Sequence, residues 1–300
     1  MKRLFVLITA LGLLAGACAE SGPGGLGPVP TTDPTTSPTS TPSPGPDEPG
    51  EPSPTPTSID GETMTYEVWF ASGDGWLFPT HRTGPANPAV GRASLMALLA
   101  GPDQLERAAG VSSAVPAGSE LLDLSISDGT ATVDLSSEFE SGGGSLSVTM
   151  RLAQLVYTLT QFPTVDRVSL ELDGEPVEVF SGEGVIVDPP MTRKTFEDLL
   201  PPIVVESLTI GQRVSSPVTI AGSANVFEAT VSISIYDAEG NEIVRTFTTA
   251  TCGTGCRGTY SEAVRFEVDE TQPGVIEVYE SSAEDGSKLH AVRIDVILEA

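Results

Sequence analysis

The chain has 300 residues, enough for one to three domains, and it carries 41 Asp and Glu against 15 Lys and Arg. The net charge of −26 excludes nucleic-acid binding as a main function, because such a surface repels phosphate backbones. It also disfavours docking on anionic lipid through basic patches. Three Cys and two His leave few ligands for zinc or haem.

Residues 1–17 have the pattern of a bacterial signal peptide. Lys2 and Arg3 are followed by an apolar run and by small residues before Cys18. The run is shorter than the ~20 apolar residues that span a membrane. The end of the segment, Ala15-Gly16-Ala17-Cys18, resembles a lipobox, with Ala15 where Leu is commoner. This resemblance implies lipidation of Cys18 and an anchor on the outer face of the bacterial cell membrane. Secretion with a cut near Ala17 is the alternative.

Residues 18–58 form a low-complexity segment. It is rich in Gly, Pro, Thr and Ser, and it contains twelve of the 25 prolines. Such a segment has no apolar surface to bury, so it is expected to remain extended or disordered. We interpret it as a tether that holds the folded part away from the membrane.

Residues 59–185 are predicted to form an α+β domain. The alternation of Met64, Tyr66, Val68 and Phe70 is typical of a strand, and Asn87-Pro88 is a helix start signal. The predicted elements in chain order are strands at 64–70 and 76–82, a helix closed by Gly101-Pro102, a short helix at 103–109, strands at 120–127 and 130–136, a long helix from Ser145, a strand at 165–172 and a short strand at 175–180.

Two expectations concern side chains in this domain. Leu122, Leu124 and Ile126 are predicted to share a face with the apolar residues of the partner strand, across an Asp128-Gly129 turn. The residues expected in the core are Val133, Leu135, Leu152, Leu159 and Val168, and those expected at backbone turns are Gly101, Gly118 and Gly129.

Several short runs of this domain occur in an order that resembles the GerM-type sporulation and spore-germination domain. They are Ala97-Leu98-Leu99-Ala100-Gly101-Pro102, Val115-Pro116-Ala117-Gly118, Ala131-Thr132-Val133-Asp134-Leu135-Ser136, Gln154-Leu155-Val156-Tyr157-Thr158-Leu159, Val165-Asp166-Arg167-Val168 and Asp173-Gly174. The helix–strand–strand–helix–strand core is similar to the ring-building motif of envelope-spanning assemblies. The resemblance implies protein–protein assembly, including self-assembly, and no known catalysis.

Residues 186–300 are predicted to form an immunoglobulin-like β-sandwich. After a connector with a short helix, about seven short strands are separated by turn signals about every 8–12 residues. The first two strands are expected at 203–210 and 217–222.

This half resembles the immunoglobulin-like domain of bacterial spore-germination proteins. The residues that carry the resemblance are Leu200-Pro201-Pro202-Ile203, Val205-Glu206-Ser207, Ser216-Pro217-Val218, Gly222-Ser223-Ala224-Asn225-Val226-Phe227-Glu228-Ala229, Gly258-Thr259-Tyr260 and Ser281-Ser282-Ala283-Glu284-Asp285-Gly286-Ser287. One departure is Leu208, where the family commonly has Pro.

Cys252 and Cys256 are expected to form a disulfide, because an even pair remains after Cys18 and an exported chain meets an oxidising compartment. Zinc is the alternative, but no His or further Cys stands nearby to complete four ligands. A redox-active pair usually has the spacing Cys-x-x-Cys, which this pair lacks.

The sequence predicts no catalytic, cofactor-binding or metal-binding residue and no cofactor. It lacks Gly-x-Ser-x-Gly, His-Glu-x-x-His and a Walker loop. Glu138 and Glu140 are a chance carboxylate pair in an acidic chain. Residues 237–242 superficially resemble a calcium loop, but the EF-hand positions of Gly and Glu are not met. We favour a hairpin turn there, with calcium bound in another geometry as the alternative.

Two functions are consistent with these features. The first is a non-catalytic envelope adaptor, anchored to the membrane by lipid, whose protein partner has a neutral or basic surface. Exposed aromatics such as Trp69, Trp76 or Phe227 are candidates for contacts, although Trp69 and Phe227 fit a core equally well. The second is a cell-wall glycan binder or hydrolase accessory, for which the aromatic content of 6% is low.

Overall fold

The computed structural model describes residues 63–86 and 89–300. The predicted signal peptide, Cys18, the tether and the Asn87-Pro88 helix start lie outside the described residues. Residues from the end of the tether to Ala300 belong to one compact unit. This unit contains an α+β domain followed by a β-rich domain, as the sequence predicts.

The first domain opens with a hairpin and two helices. Strands β1 (Thr63–Ala71) and β2 (Leu77–Pro85) pair antiparallel. Helix α1 (Val90–Ala100) ends at Gly101, whose positive φ of 79° suits a residue without a side chain. Helix α2 (Gln104–Ala108) begins with a capping box between Asp103 and Glu106.

A four-stranded sheet forms the centre of this domain. Its order is β3-β4-β5-β6, with β3 (Leu121–Ser127), β4 (Thr130–Leu135), β5 (Arg167–Leu172) and β6 (Glu175–Pro176). The long helix α3 (Ser145–Leu159) connects β4 to β5, which run parallel because a helical crossover separates them. Eleven of the 15 residues of α3 are buried, and all five residues predicted for the core are fully buried.

The structure corrects two details of the predicted strands. Leu122 does not pair on the core face, because a β-bulge follows Leu121 and places Leu121 opposite Leu135. Leu122 is consequently exposed, whereas Leu124 and Ile126 lie opposite Val133 and Ala131 as predicted, with Ile126 still 43% exposed. The strand predicted at 175–180 is divided in two. Its first part pairs with β5, a pairing that the bond from Val177 N to Leu170 O extends, and its second part, β7 (Val179–Phe180), forms a separate hairpin with β8 (Val185–Ile186).

The segment after β8 packs on the first domain. It contains a 3₁₀ helix at Arg193–Leu199. Val187, Met191, Phe196 and Leu200 are all buried in the same apolar core as helix α3. The first core therefore extends to the start of the second domain.

The second domain consists of eight described strands in two sheets. They are β9 (Ile203–Val205), β10 (Arg213–Val214), β11 (Val218–Ala224), β12 (Thr230–Tyr236), β13 (Glu242–Thr249), β14 (Gly258–Val264), β15 (Gln272–Ser281) and β16 (Lys288–Leu298). One sheet has the order β10-β16-β15-β12-β13 and the other β14-β11-β9. Their facing apolar residues, among them Ile220, Ile233 and Ile276, form the second core.

The first predicted strand of this domain is shorter than expected. β9 ends at Val205, because the N–H groups of Glu206 and Ser207 both bond to the carbonyl of Ala221. A turn over 209–212 then leads to β10, which the sequence did not predict.

Candidate functional site

The sequence-predicted site residues fall in three places. Cys252 and Cys256 form a disulfide, with 5.7 Å between their Cα atoms. Glu138 and Glu140 lie exposed on a 3₁₀ turn. Asp237 closes a hairpin turn, in which its carboxylate accepts hydrogen bonds from the backbone and side-chain N–H groups of Asn241.

The described residues offer no cluster of three or more His, Cys, Asp or Glu placed to hold a metal ion. Within the same residues, no helix is both long and apolar enough to cross a membrane. Of the three aromatics considered for partner contacts, Trp69 is fully buried, whereas Trp76 is 39% and Phe227 50% exposed.

The segment around β9, which we call the joint, connects the two domains through both apolar and polar contacts. It is built on β9, all of whose residues are buried. Ile203 and Val205 point into the second core, whereas Val204 packs in the first, since side chains alternate along a strand. The Tyr260 hydroxyl donates to the carbonyl of Val204 at 2.9 Å, and the backbone N–H of His81 donates to the Thr209 hydroxyl at 3.4 Å. The joint is therefore fixed by both apolar and polar contacts.

A cleft of about 560 Å³ lies at this joint, which we call the junction cleft. Its walls come from helix α3 and the 3₁₀ helix on one side and from β11 and β14 on the other. The charged and aromatic residues that line it are Tyr157, Arg193, Lys194, Glu197, Glu206 and Arg257.

Arg193 is held in the cleft by stacking and by neutral oxygens. Its guanidinium lies 4.8 Å from the centre of the Tyr157 ring and 5.5 Å from that of Trp69. Its Nε donates to the Thr160 hydroxyl at 2.9 Å and its Nη2 to the carbonyl of Tyr157 at 3.3 Å. The Tyr157 hydroxyl in turn donates to the carbonyl of Arg193, and burial raises the pKa of Tyr157 to about 12. Tyr157 therefore stays protonated at neutral pH.

Arg257 is positioned by the disulfide loop that precedes it. Within that loop, Thr254 N donates to Val226 O and Gly255 N to the Asn225 side chain. A Cβ on Gly258 would lie 2.1 Å from the backbone nitrogen of Cys252, so only glycine fits there. The Arg257 guanidinium then reaches the carbonyls of Pro201 at 2.7 Å and Ser223 at 3.4 Å.

Two carboxylates and one histidine complete the electrostatics of the joint. Burial, with the Glu67 charge as the second cause, raises the pKa of Glu206 above its usual value. Burial lowers the pKa of His81, whose side chain bonds to the backbone of Glu206. Glu197 is exposed at the rim. The joint therefore places cations from both domains beside a carboxyl group whose ionised form is disfavoured.

The sequence missed this site because its residues are far apart in the chain. The sequence pattern around Tyr157 predicts only a helix, and Arg257 stands out only as the residue after Cys256. The one available signal was the pair Arg193-Lys194, two adjacent cations in the connector of a very acidic chain. Chemically, the lining can bind a charged group, since it presents arginine and lysine side chains from both domains.

Comparison with protein families matches both halves of the chain. Residues 64–178 match the family described as sporulation and spore germination. Residues 202–287 match the family described as immunoglobulin-like domain of bacterial spore germination. The chain thus joins an α+β domain that matches the first family to an immunoglobulin-like domain that matches the second. The junction cleft lies between these two domains, and neither family description names a reaction.

Three solved structures are similar to parts of the chain. The first GerMN domain of the sporulation protein GerM from Bacillus subtilis is 22% identical, with a TM-score of 0.39, and covers 44% of this chain and 98% of its own. The tandem GerMN domains of the same protein are 17% identical, with a TM-score of 0.40 and coverages of 68% and 62%. A putative lipoprotein from Clostridium perfringens is 18% identical, with a TM-score of 0.33 and coverages of 49% and 98%. No curated protein sequence matches the chain.

Proposed function

We propose that this chain is a non-catalytic adaptor of the bacterial cell envelope, which binds another protein in a process related to sporulation or spore germination. The observation that carries the proposal is the pairing, on one chain, of two domains whose families are both described by spore germination. A non-catalytic role is supported by the family descriptions, which name no reaction.

We further propose that the adaptor is attached by lipid on Cys18 to the outer face of the membrane. Support comes from the signal-peptide pattern, from the lipobox-like residues before Cys18, and from a low-complexity segment long enough to act as a tether. Two acyl chains on one Cys are enough for stable anchoring. The disulfide between Cys252 and Cys256 fits an oxidising compartment.

The anchor is tested by metabolic labelling with a lipid precursor. The wild-type chain is expected to take up label and to sediment with membranes, whereas Cys18→Ala takes up none. Cys252→Ala serves as a control, because it removes a cysteine without touching the signal. Labelled, membrane-bound Cys18→Ala protein would rule out this anchor.

The adaptor role is tested by comparing two binding partners directly. The full chain is immobilised and exposed to detergent-solubilised envelope proteins, and in parallel it is incubated with purified peptidoglycan. The proposal predicts specific retention of an envelope protein with a neutral or basic surface and no saturable glycan binding. Saturable binding to peptidoglycan without a protein partner would instead support a glycan-binding accessory.

A further inference from the structure

The junction cleft contains more hydrogen-bond donors than its own residues use. Each arginine has five N–H donors. Arg193 uses Nε and Nη2, both on neutral oxygens, and the structure gives its Nη1 no partner. Arg257 uses Nη1 and Nη2 on Ser223 and Pro201, and its Nε is buried without a partner. Both guanidinium groups are therefore fixed in place with donors to spare.

These cations also lack a direct counter-charge. Among the described residues, no carboxylate oxygen lies within 4.0 Å of a side-chain nitrogen of Arg193, Lys194 or Arg257. By contrast, Arg245 and Arg293, on the five-stranded sheet of the immunoglobulin-like domain, are paired with glutamates. Arg193 and Arg257 are held by carbonyls and hydroxyls, which position them without neutralising their charge.

The balance of charge in the cleft is positive although the chain is strongly acidic. Its lining has three cations and two carboxylates, Glu197 and Glu206. Glu197 and Lys194 are both exposed, so solvent screens their charges. The remaining charges of the lining are the guanidinium groups of Arg193 and Arg257 and the carboxylate of Glu206. An incoming anion therefore meets two fixed cations and one carboxylate.

We propose that the junction cleft binds a ligand through a carboxylate or phosphate group, which Arg193 and Arg257 hold between the two domains. Guanidinium groups match the planar oxygens of these anions and can bind them in a bidentate way. The cleft volume of about 560 Å³ is within the range of small-molecule sites and admits a short peptide end. The Tyr157 ring supplies an apolar wall beside the charges. The proposal concerns the cleft itself and does not depend on the adaptor role.

Calorimetric titration of the full chain in detergent tests this proposal. The probes are inorganic phosphate and acetyl-Glu-Glu, with acetyl-Gln-Gln-amide as the uncharged control. We expect heat of binding for at least one anion and none for the uncharged peptide. Binding of phosphate alone indicates a free anion as the natural ligand, whereas binding of the peptide alone indicates an acidic chain end or side chain. Absence of binding for every anion at millimolar concentration would overturn the proposal.

Variants locate the binding. Arg193→Gln and Arg257→Gln are each expected to weaken anion binding by about tenfold or more, because a charge-assisted hydrogen bond is lost. Glu206→Gln is expected to strengthen it, since a negative group is removed without loss of volume. Arg245→Gln, an exposed residue paired with Glu242 outside the cleft, is the matched control and should bind like the wild type.

The direction of the change in anion affinity distinguishes an effect on binding from an effect on folding. Thermal melting of each variant shows whether it folds, and Arg193→Lys provides a second variant that keeps the charge but not the bidentate geometry. A purely structural cleft predicts that Glu206→Gln does not raise the affinity for anions. Equal loss of binding in Arg245→Gln, or unchanged binding in both arginine variants, would contradict the assignment of the site.

Discussion

The ion pair between Arg82 and Glu106 shows how one buried charge links two elements, β2 and α2. Both guanidinium nitrogens of Arg82 on β2 contact the Glu106 carboxylate, at 2.6 and 2.7 Å. Glu106 is 2% exposed and also accepts the backbone N–H of Asp103 at the start of α2. The carboxylate therefore fixes α2 on the first hairpin and completes the helix cap.

Arg82→Met is expected to lower the free energy of unfolding by about 3 kcal/mol. Removing the cation leaves a buried carboxylate without its partner, although Arg82 itself is partly exposed, which limits the loss. Urea denaturation measures the change. The control is Arg213→Met, since Arg213 and Glu299 are 66% and 35% exposed, and a loss of no more than about 1 kcal/mol is expected. Equal losses in the two variants would contradict the role given to Glu106.

His81, at the joint between the two domains, is expected to make the folding stability depend on pH. Its pKa is lowered by burial, so below about pH 6.5 the unfolded chain binds a proton that the folded chain does not. This contribution makes the folded state less stable as pH falls. Glu206 acts in the opposite sense, because its raised pKa means that stability falls as pH rises above the ordinary glutamate value.

The variant His81→Gln isolates this effect. Glutamine keeps a donor for the backbone of Glu206 but does not titrate. The loss of stability between about pH 7.5 and about pH 5.5 is expected to be smaller in the variant than in the wild type. Urea unfolding at both pH values gives the comparison. An identical pH dependence in the two proteins would show that His81 does not carry it.

At the scale of elements, helix α3 substitutes for a missing strand beside β1. Two of its side chains, and Gln161 just beyond its end, bond to the outer backbone edge of β1, which pairs with β2 on its other side. Gln161 accepts from Glu67 N and donates to Glu67 O, both at 2.7 Å. Thr158 accepts from Trp69 N at 3.0 Å, and Gln154 donates to Trp69 O at 3.2 Å. The edge is therefore covered and is not available for pairing with another chain.

Thr158→Val tests this substitution of a strand by side chains. The two residues have similar shapes, so the main change is a buried Trp69 N–H without a partner. We expect a loss of roughly 1–3 kcal/mol in unfolding free energy. Thr149→Val is the control, because its hydroxyl is exposed and bonds only to the carbonyl of Ser145 in its own helix. A loss no greater for Thr158→Val than for Thr149→Val would argue against the proposed edge contact.

The elements differ in how far the sequence could predict them. The β3–β4 hairpin and helix α3 were predictable, because Asp128-Gly129 favours a tight turn and the apolar residues of α3 recur at helical spacing. The bulge at Leu122 was not, since the alternation continues through it. A strand beginning at Ile203 was predicted, but its place between two cores was not. Three consecutive apolar residues do not reveal which core each side chain enters. The junction cleft was missed, because no local pattern joins Arg193 to Arg257.

At the scale of the whole molecule, β9 couples the folding stability of the two domains. Its side chains belong alternately to the two cores, so neither core is complete without it. We expect the two domains to unfold in one transition. Both tryptophans, Trp69 and Trp76, lie in the α+β domain, so their fluorescence reports on that domain, whereas circular dichroism reports on both. The two curves should coincide in urea, and separate midpoints would show independent domains.

Val204→Ala should shift both curves together. The substitution removes buried methyl groups from the joint and is expected to cost roughly 2 kcal/mol. Val179→Ala, at an exposed position, is the control and should shift neither curve measurably. Two separate transitions in circular dichroism, of which only the one that coincides with fluorescence is shifted, would mean that Val204 stabilises the α+β domain alone.

The proposed role rests on the arrangement of the whole chain, in which a joined two-domain unit follows an expected lipid anchor and tether. The most direct test is to cross-link native membranes, purify the full chain and quantify what is attached to it. The adaptor role predicts one defined envelope protein at a reproducible molar ratio, and much less of it with Cys18→Ala. Recovery of the chain without a cross-linked protein, or attached only to peptidoglycan, would contradict it.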